Sequence, residues 1–178
     1  MDREELIQQY RIKHKNTESY GVGGSFSEIA ELFDELEPSS SILDFGCGKG
    51  ALVKQLKLMG FDAKGYDPAI RRFERLPDRK FDAVICTDVL EHIRKDDVDE
   101  VFQMMLSVEP KFVFLTIAHF VAGHHLPNGR NCHEIVETPF WWWSKIGQNF
   151  EEWSALGLEG ARPGTSRWLL QKKGDKKQ

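Results

Sequence analysis

ILDFGCGKG, residues 42–50, is the stretch on which the fold turns. Residues 41–45 form a short apolar run of the kind that makes a buried strand, and the run breaks directly into Gly46, Gly48 and Gly50. Ala51-Leu52-Val53-Lys54-Gln55-Leu56 then has helical character, so a strand, a glycine loop and a helix follow one another. Glycines at these places permit a tight turn with positive φ and let a ligand come close to bare backbone. The loop also leads into a helix N-terminus, where N–H groups and the dipole favour an anion.

Three nucleotide-type ligands compete for such a loop. A phosphate loop fits poorly, because Lys49 is not followed by Ser or Thr and the glycine spacing is too short. A dinucleotide fits better, since Gly46, Gly48 and Ala51 satisfy G-x-G-x-x-A. Asp44 argues against it: a carboxylate at the end of an apolar strand is costly without a partner, and it would repel a pyrophosphate. The ammonium of a bound amino acid would suit it. Seventeen residues beyond Gly50, Asp67 ends a second strand expected over residues 60–67, where a ribose-binding carboxylate belongs in a βαβ unit. Asp44 and Asp67 together fit a nucleoside that carries an amino acid.

With these residues in view, the sequence resembles the class I S-adenosylmethionine-dependent methyltransferases. ILDFGCGKG is similar to their first motif, GYDPA at 65–69 to the ribose-binding end of their second strand, and FDAVICTDVLEHI at 81–93 to their fourth-strand motif. The resemblance is strong from Ser39 to Leu115. It implies a Rossmann-like α/β fold with a mostly parallel sheet, a C-terminal antiparallel hairpin, and the cofactor across the carboxyl ends of the first strands. It implies S-adenosylmethionine as methyl donor and S-adenosylhomocysteine as product. The donor site it implies comprises Asp44, Phe45, Gly46, Cys47, Gly48, Asp67, Pro68, Thr87 and Asp88. It also makes residues 1–38 a helical lid with Tyr10, His14 and Tyr20 as candidate lining. Relatives spend thirty or more residues on a helix and a third strand where residues 70–80 stand here, so that strand is short or missing. The adenine contact cannot be carried over; Asp78 is a weak candidate.

The rest of the chain fits one soluble domain of 178 residues, 40% hydrophobic and 29% charged. There is no apolar run long enough to span a membrane, and Met1-Asp2-Arg3-Glu4-Glu5 is unlike a signal peptide, so a cytoplasmic protein is expected. Cys47, Cys86 and Cys132 are odd in number and widely spaced, which suggests neither disulfides nor a zinc site. Net charge is −4, with a pI near 5.9, which argues against a broad nucleic-acid surface. Arg71, Arg72, Arg75, Arg79 and Lys80 could make only a local one. Helices are expected over 2–15, 27–36, 96–106 and 138–149, and strands over 81–87, 111–118, 151–158 and 166–172.

Two segments carry candidate chemistry. If a helix begins at Asp88, then Asp88, Glu91 and His92 fall at i, i+3 and i+4 and share a face toward the ligand. Three readings stay open: His92 or Asp88 is a general base; the three residues bind a divalent metal; or the segment only caps a helix and orders the pocket. The metal reading rests on resemblance, because Asp-x-x-Glu-His is similar to the Glu-x-x-Glu-His cluster of small-RNA 3′-end and ubiquinone-pathway O-methyltransferases, and it is not the favoured one.

Residues 119–137, HFVAGHHLPNGRNCHEIVE, form a loop longer than a compact domain normally uses. Its four histidines, Arg130 and Asn131 mark it as the acceptor side, with His133 the first choice for a base and Arg130 for an anionic acceptor. LPNGRNCH and the tryptophans after it resemble a group of bacterial and phage methyltransferases. Trp141, Trp142 and Trp143 point about 100° apart on a helix, so all three cannot face the core. The expected activity is methyl transfer to an oxygen or nitrogen of a small-molecule acceptor. A dinucleotide oxidoreductase and a non-catalytic partner protein of the same fold are the alternatives; nucleic acid is not favoured as acceptor, because no N-P-P-Y or P-C motif supports it.

Overall fold

The computed structural model describes residues 1–22, 29–158 and 162–174. Helix α1 (Arg3–Asn16) starts at a capping box, in which Asp2 accepts from the Glu5 N–H and the Glu5 carboxylate accepts from the Asp2 N–H. The glycine-loop unit is built from β1 (Ser41–Phe45), α3 (Ala51–Leu58) and β2 (Asp62–Tyr66), preceded by the single-turn α2 (Ala30–Phe33). There follow β3 (Ala83–Thr87), α4 (Val98–Leu106), β4 (Phe112–Ala118), α5 (Pro139–Asn149), β5 (Trp153–Leu158) and β6 (Thr165–Lys172). Helix α5 starts within a residue of its expected bound: Thr138 caps it and Pro139 occupies the first turn.

One six-stranded sheet runs through the molecule in the order β2-β1-β3-β4-β6-β5. The first four strands are parallel, β6 lies antiparallel to β4, and β5 closes the edge antiparallel to β6. Successive strand residues alternate between two cores, as the pleat requires. Leu43, Phe45, Val84, Cys86, Val113 and Leu115 pack under α4 and α5, with Phe102, Met105 and Trp142 buried there. Ile42, Ala83, Ile85 and Phe114 face α3 instead, against Leu52, Val53 and Leu56. Burial on both faces explains why these strands read as continuous apolar runs.

The third strand, expected to be short or missing, is missing: between β2 and β3 the chain makes only a 3-10 turn at Arg71–Phe73, so β2 is the sheet edge. Two expectations change. The second helix is α2 alone; residues 23–28, part of the expected loop and helix, lie outside the described residues. No helix begins at Asp88. That residue takes φ +53, turning sharply off β3 with its N–H on the carbonyl of Thr116, and only a 3-10 turn Leu90–His92 follows. Asp88, Glu91 and His92 therefore do not share a face.

Candidate active site

The carboxyl ends of β1, β2 and β3 open into a cavity of about 600 Å³. Its floor is the glycine loop and the residues that follow β2 and β3. Phe45, Gly46 and Gly48 line it from β1, Asp67 and Pro68 from β2, and Thr87 and Asp88 from β3. Seven of the nine expected donor-site residues thus surround one space.

The other two stand behind that surface. Asp44 is fully buried, with Oδ2 making no hydrogen bond, and burial next to Asp67 pushes its carboxyl up to about 7. An orphaned carboxylate oxygen beside the loop suits a cationic group such as the donor's ammonium. Cys47 turns its thiol toward Gly65, where an added Cβ would lie 2.6 Å from Sγ. It packs the loop onto β2 rather than facing the cavity.

The loop is held by the protein's own acceptors. Gly46 and Cys47 both donate to the carbonyl of Tyr66, Gly48 to Asp67 Oδ2 at 2.9 Å, Lys49 to the carbonyl of Gly21 and Gly50 to that of Cys47. All five N–H groups of the loop are used internally, so the loop itself has no donor to spare for a pyrophosphate, which tells against the dinucleotide alternative. Asp67 also accepts from Ala69 N–H through Oδ1, so one carboxylate fixes the loop and the turn after β2. Gly46 and Gly48 have φ of +79 and +50, and a Cβ on Gly48 would meet the carbonyl oxygen of Gly21 at 2.5 Å.

The roof joins two distant segments. Helix α1 presents Leu6, Ile7, Tyr10 and His14 to the cavity, and Tyr20 and Gly21 continue the cover. The 119–137 loop grips the far side of α1: Lys13 Nζ donates to the carbonyl of His125 at 2.8 Å, the Tyr10 hydroxyl donates to that of Cys132, and Asn128 N–H donates to Gln9. Leu6, Tyr10, Ala69, Leu126 and Cys132 form the small apolar core of this joint.

The candidate catalytic residues are placed unequally. Asp88 lies on the cavity, paired with Arg162 and accepting from the Thr116 hydroxyl. His92 also lines it, but its Nδ1–H is directed at the carbonyl of Cys132 (2.9 Å) and the Tyr10 hydroxyl (3.0 Å), and burial pushes it down to about 4. A carbonyl can only accept, so that contact fixes the tautomer. Glu91 points into the sheet: Oε1 accepts from Ala118 N–H at 3.0 Å, Oε2 has no partner, and burial pushes the carboxyl up to about 8. His133 stands beside His92, ring centroids 4.8 Å apart, with its Nδ1–H on the carbonyl of Phe120.

Other candidates take structural roles. Arg130 pairs with Glu134 rather than reaching the cavity, and Asp78 does not line it. His119 bridges Glu137 and Ser166 at the stem of the loop, and His124 meets the edge of Tyr20. From the arginine cluster, Arg72 donates to the carbonyl of Lys49, Arg79 pairs with Asp62 and Lys80 with Glu109. Of the tryptophans, Trp142 is fully buried, Trp141 half-buried against Lys95, and Trp143 exposed. Arg162 at the cavity was not foreseen; it comes from the hairpin connection, and no local pattern marks it.

A sheet of this order, with a glycine loop and two acids at its carboxyl end, defines a Rossmann-like methyltransferase that uses S-adenosylmethionine. Residues 15–161 match the family described as "Methyltransferase domain", and the chain belongs to that family. No curated protein sequence matches the chain. Among solved structures, the 1,6-didemethyltoxoflavin-N1-methyltransferase of Burkholderia thailandensis, with 1,6-didemethyltoxoflavin and S-adenosylhomocysteine bound, is similar at TM-score 0.68 and 14% identity, over 97% of this chain and 91% of that one. The DhpI complex with S-adenosylhomocysteine gives 0.63 at 16% identity, covering 96% and 97%. Magnesium protoporphyrin IX methyltransferase from Synechocystis PCC 6803 gives 0.62 at 17%, covering 93% and 84%. At these identities the likeness is one of fold. Among the described residues no helix is long and apolar enough to cross a membrane.

Proposed function

We propose that this methyltransferase acts on an oxygen or nitrogen nucleophile of a small molecule, bound with the donor in the 600 Å³ cavity. The observation that carries this is the roof: α1 with residues 17–21, acting as a lid, and the 119–137 loop are pinned together over the cavity by Tyr10, Lys13 and Asn128. A covered space suits a compact acceptor better than a polymer. Two of the similar folds are named for small-molecule methylation, of 1,6-didemethyltoxoflavin and of magnesium protoporphyrin IX, which supports the same reading. Three buried free cysteines fit a reducing compartment, so the cytoplasm is its expected place.

The donor's sulfonium supplies an electrophilic methyl group. The protein's share is to hold donor and nucleophile in line, to exclude water under the roof and to take a proton from a hydroxyl or amine acceptor. In this reading Asp44, Gly46, Gly48 and Asp67 position the donor, while Asp88 and His92 face the acceptor. His133 serves from the loop through its free Nε2, and His133→Ala costs turnover more than donor affinity. The test is to incubate the protein with methyl-labelled S-adenosylmethionine and a cell extract split by size. Label in the small-molecule fraction is expected; label confined to protein or nucleic acid would overturn the proposal.

A further inference from the structure

We propose that Asp97, on the cavity wall at the start of α4, recognises the donor's adenine through its exocyclic amino group, in a chamber that α1 closes. Residues 70–80 make only a short 3-10 turn, and Asp78 does not line the cavity, so the base is held by another part of the chain.

The position follows from the donor reading above, on which this inference rests. With the ammonium at Asp44 and the ribose at Asp67, the base lies beyond Asp67 and away from the glycine loop. Helix α1 covers that ground: Leu6 and Tyr10 pack on Ala69, and Arg11 Nη2 donates to the carbonyl of Pro68 at 2.9 Å. The cavity continues there between Ile7 of α1 and Ile93, Val101 and Met104, which pack in one cluster with Tyr66 at the end of β2. Arg3, held by Glu100 and by Met104 Sδ at 3.3 Å, ties α1 to α4 at this end. Apolar walls with one polar group suit a flat heterocycle.

Among the described residues, three carboxylates line the cavity: Asp67, Asp88 and Asp97. Asp67 holds the glycine loop and the turn after β2, and Asp88 is clamped by Arg162. Asp97 has no such task. It stands at the N-cap of α4, where an aspartate ordinarily accepts from the first helix N–H groups, yet its side chain makes no capping bond. That side chain is only 14% exposed, and its ion pair with Arg94 Nη1 is long, at 3.5 Å. A carboxylate accepts about four hydrogen bonds, so Asp97 has capacity for an amino group.

The test is calorimetric titration with S-adenosylhomocysteine and with its purine analogue, in which hydrogen replaces the 6-amino group. The wild type should bind S-adenosylhomocysteine at least about tenfold more tightly, because a site built around an N–H donor rejects a ligand that lacks it. Asp97→Ala should weaken S-adenosylhomocysteine by about tenfold and leave the analogue nearly unchanged, so that the two ligands converge. Equal binding of both ligands by the wild type, or the equal loss of both in Asp97→Ala that a structural role would give, would overturn the assignment. Ile7→Trp fills the chamber from α1 and serves even if Asp97→Ala fails to fold. It should weaken both ligands at least about tenfold, and unchanged binding would also sink the proposal. Failure of the wild type to bind S-adenosylhomocysteine at all would overturn the donor reading and this assignment together, whereas the other adverse outcomes touch the assignment alone.

Discussion

The guanidinium of Arg162 donates to both carboxylate oxygens of Asp88, at 2.7 and 2.6 Å, across 74 residues of chain. Both residues line the cavity, and the pair ties the hairpin connection to the turn after β3. Each side chain is substantially exposed, at 45% and 40%, so the pair adds little to stability. Arg162→Ala is therefore expected to leave the melting temperature within a degree or two while lowering kcat/KM by about tenfold or more, through misplacement of Asp88. Steady-state kinetics beside a thermal melt checks this.

Asp44 sets a pH dependence. Its folded-state pKa of about 7 lies above the ordinary carboxylate value, so between about pH 4 and 7 the folded protein keeps a proton that the unfolded chain has lost. Stability of the ligand-free protein then falls as pH rises through that window, by at most about 4 kcal/mol from this group. Asp62, Asp82 and Asp99 are held low and contribute in the opposite sense. The informative quantity is the difference from Asp44→Asn, which should lose the falling component and bind the donor more weakly. Urea melts of both proteins at several pH values measure it.

Gly48→Ala would place a methyl group against the carbonyl of Gly21 and strain a residue at φ +50. The conformational penalty alone is about 1–2 kcal/mol. Because Lys49 N–H and Lys49 Nζ hold residues 17–21 over the loop, the shift should open the roof there. Donor affinity is expected to drop about tenfold or more, as calorimetric titration with S-adenosylhomocysteine would report.

Tyr10→Phe removes the hydroxyl that donates to the carbonyl of Cys132, a buried bond worth about 1 kcal/mol. Helix α1 and the 119–137 loop should then exchange amide hydrogens faster, while β3 and β4 stay protected. Hydrogen exchange read by mass spectrometry separates this outcome from a general loss of stability, in which the strands would also speed up.

Much of the fold was legible in the residues. Runs such as Ala83–Thr87 and Phe112–Ala118 announce buried parallel strands, because both faces of such a strand must be apolar. The missing third strand was visible as missing chain. Asp67 was findable because its place after β2 follows from βαβ spacing. The helix expected from Asp88 failed because its i, i+3, i+4 pattern is equally served by a tight turn whose acid goes into the sheet, as Glu91 does to Ala118.

What the sequence by itself determined are features of short range: the order of strands and helices, the glycine turn, and the acids that end β1 and β2. Periodicity and backbone sterics fix those within a few residues. Only the tertiary structure decided which distant side chains meet. Asp88 finds Arg162, Tyr10 finds Cys132, and His92 finds His133 because one positive-φ turn and one long loop aim them, and neither has a repeating pattern that projects across space.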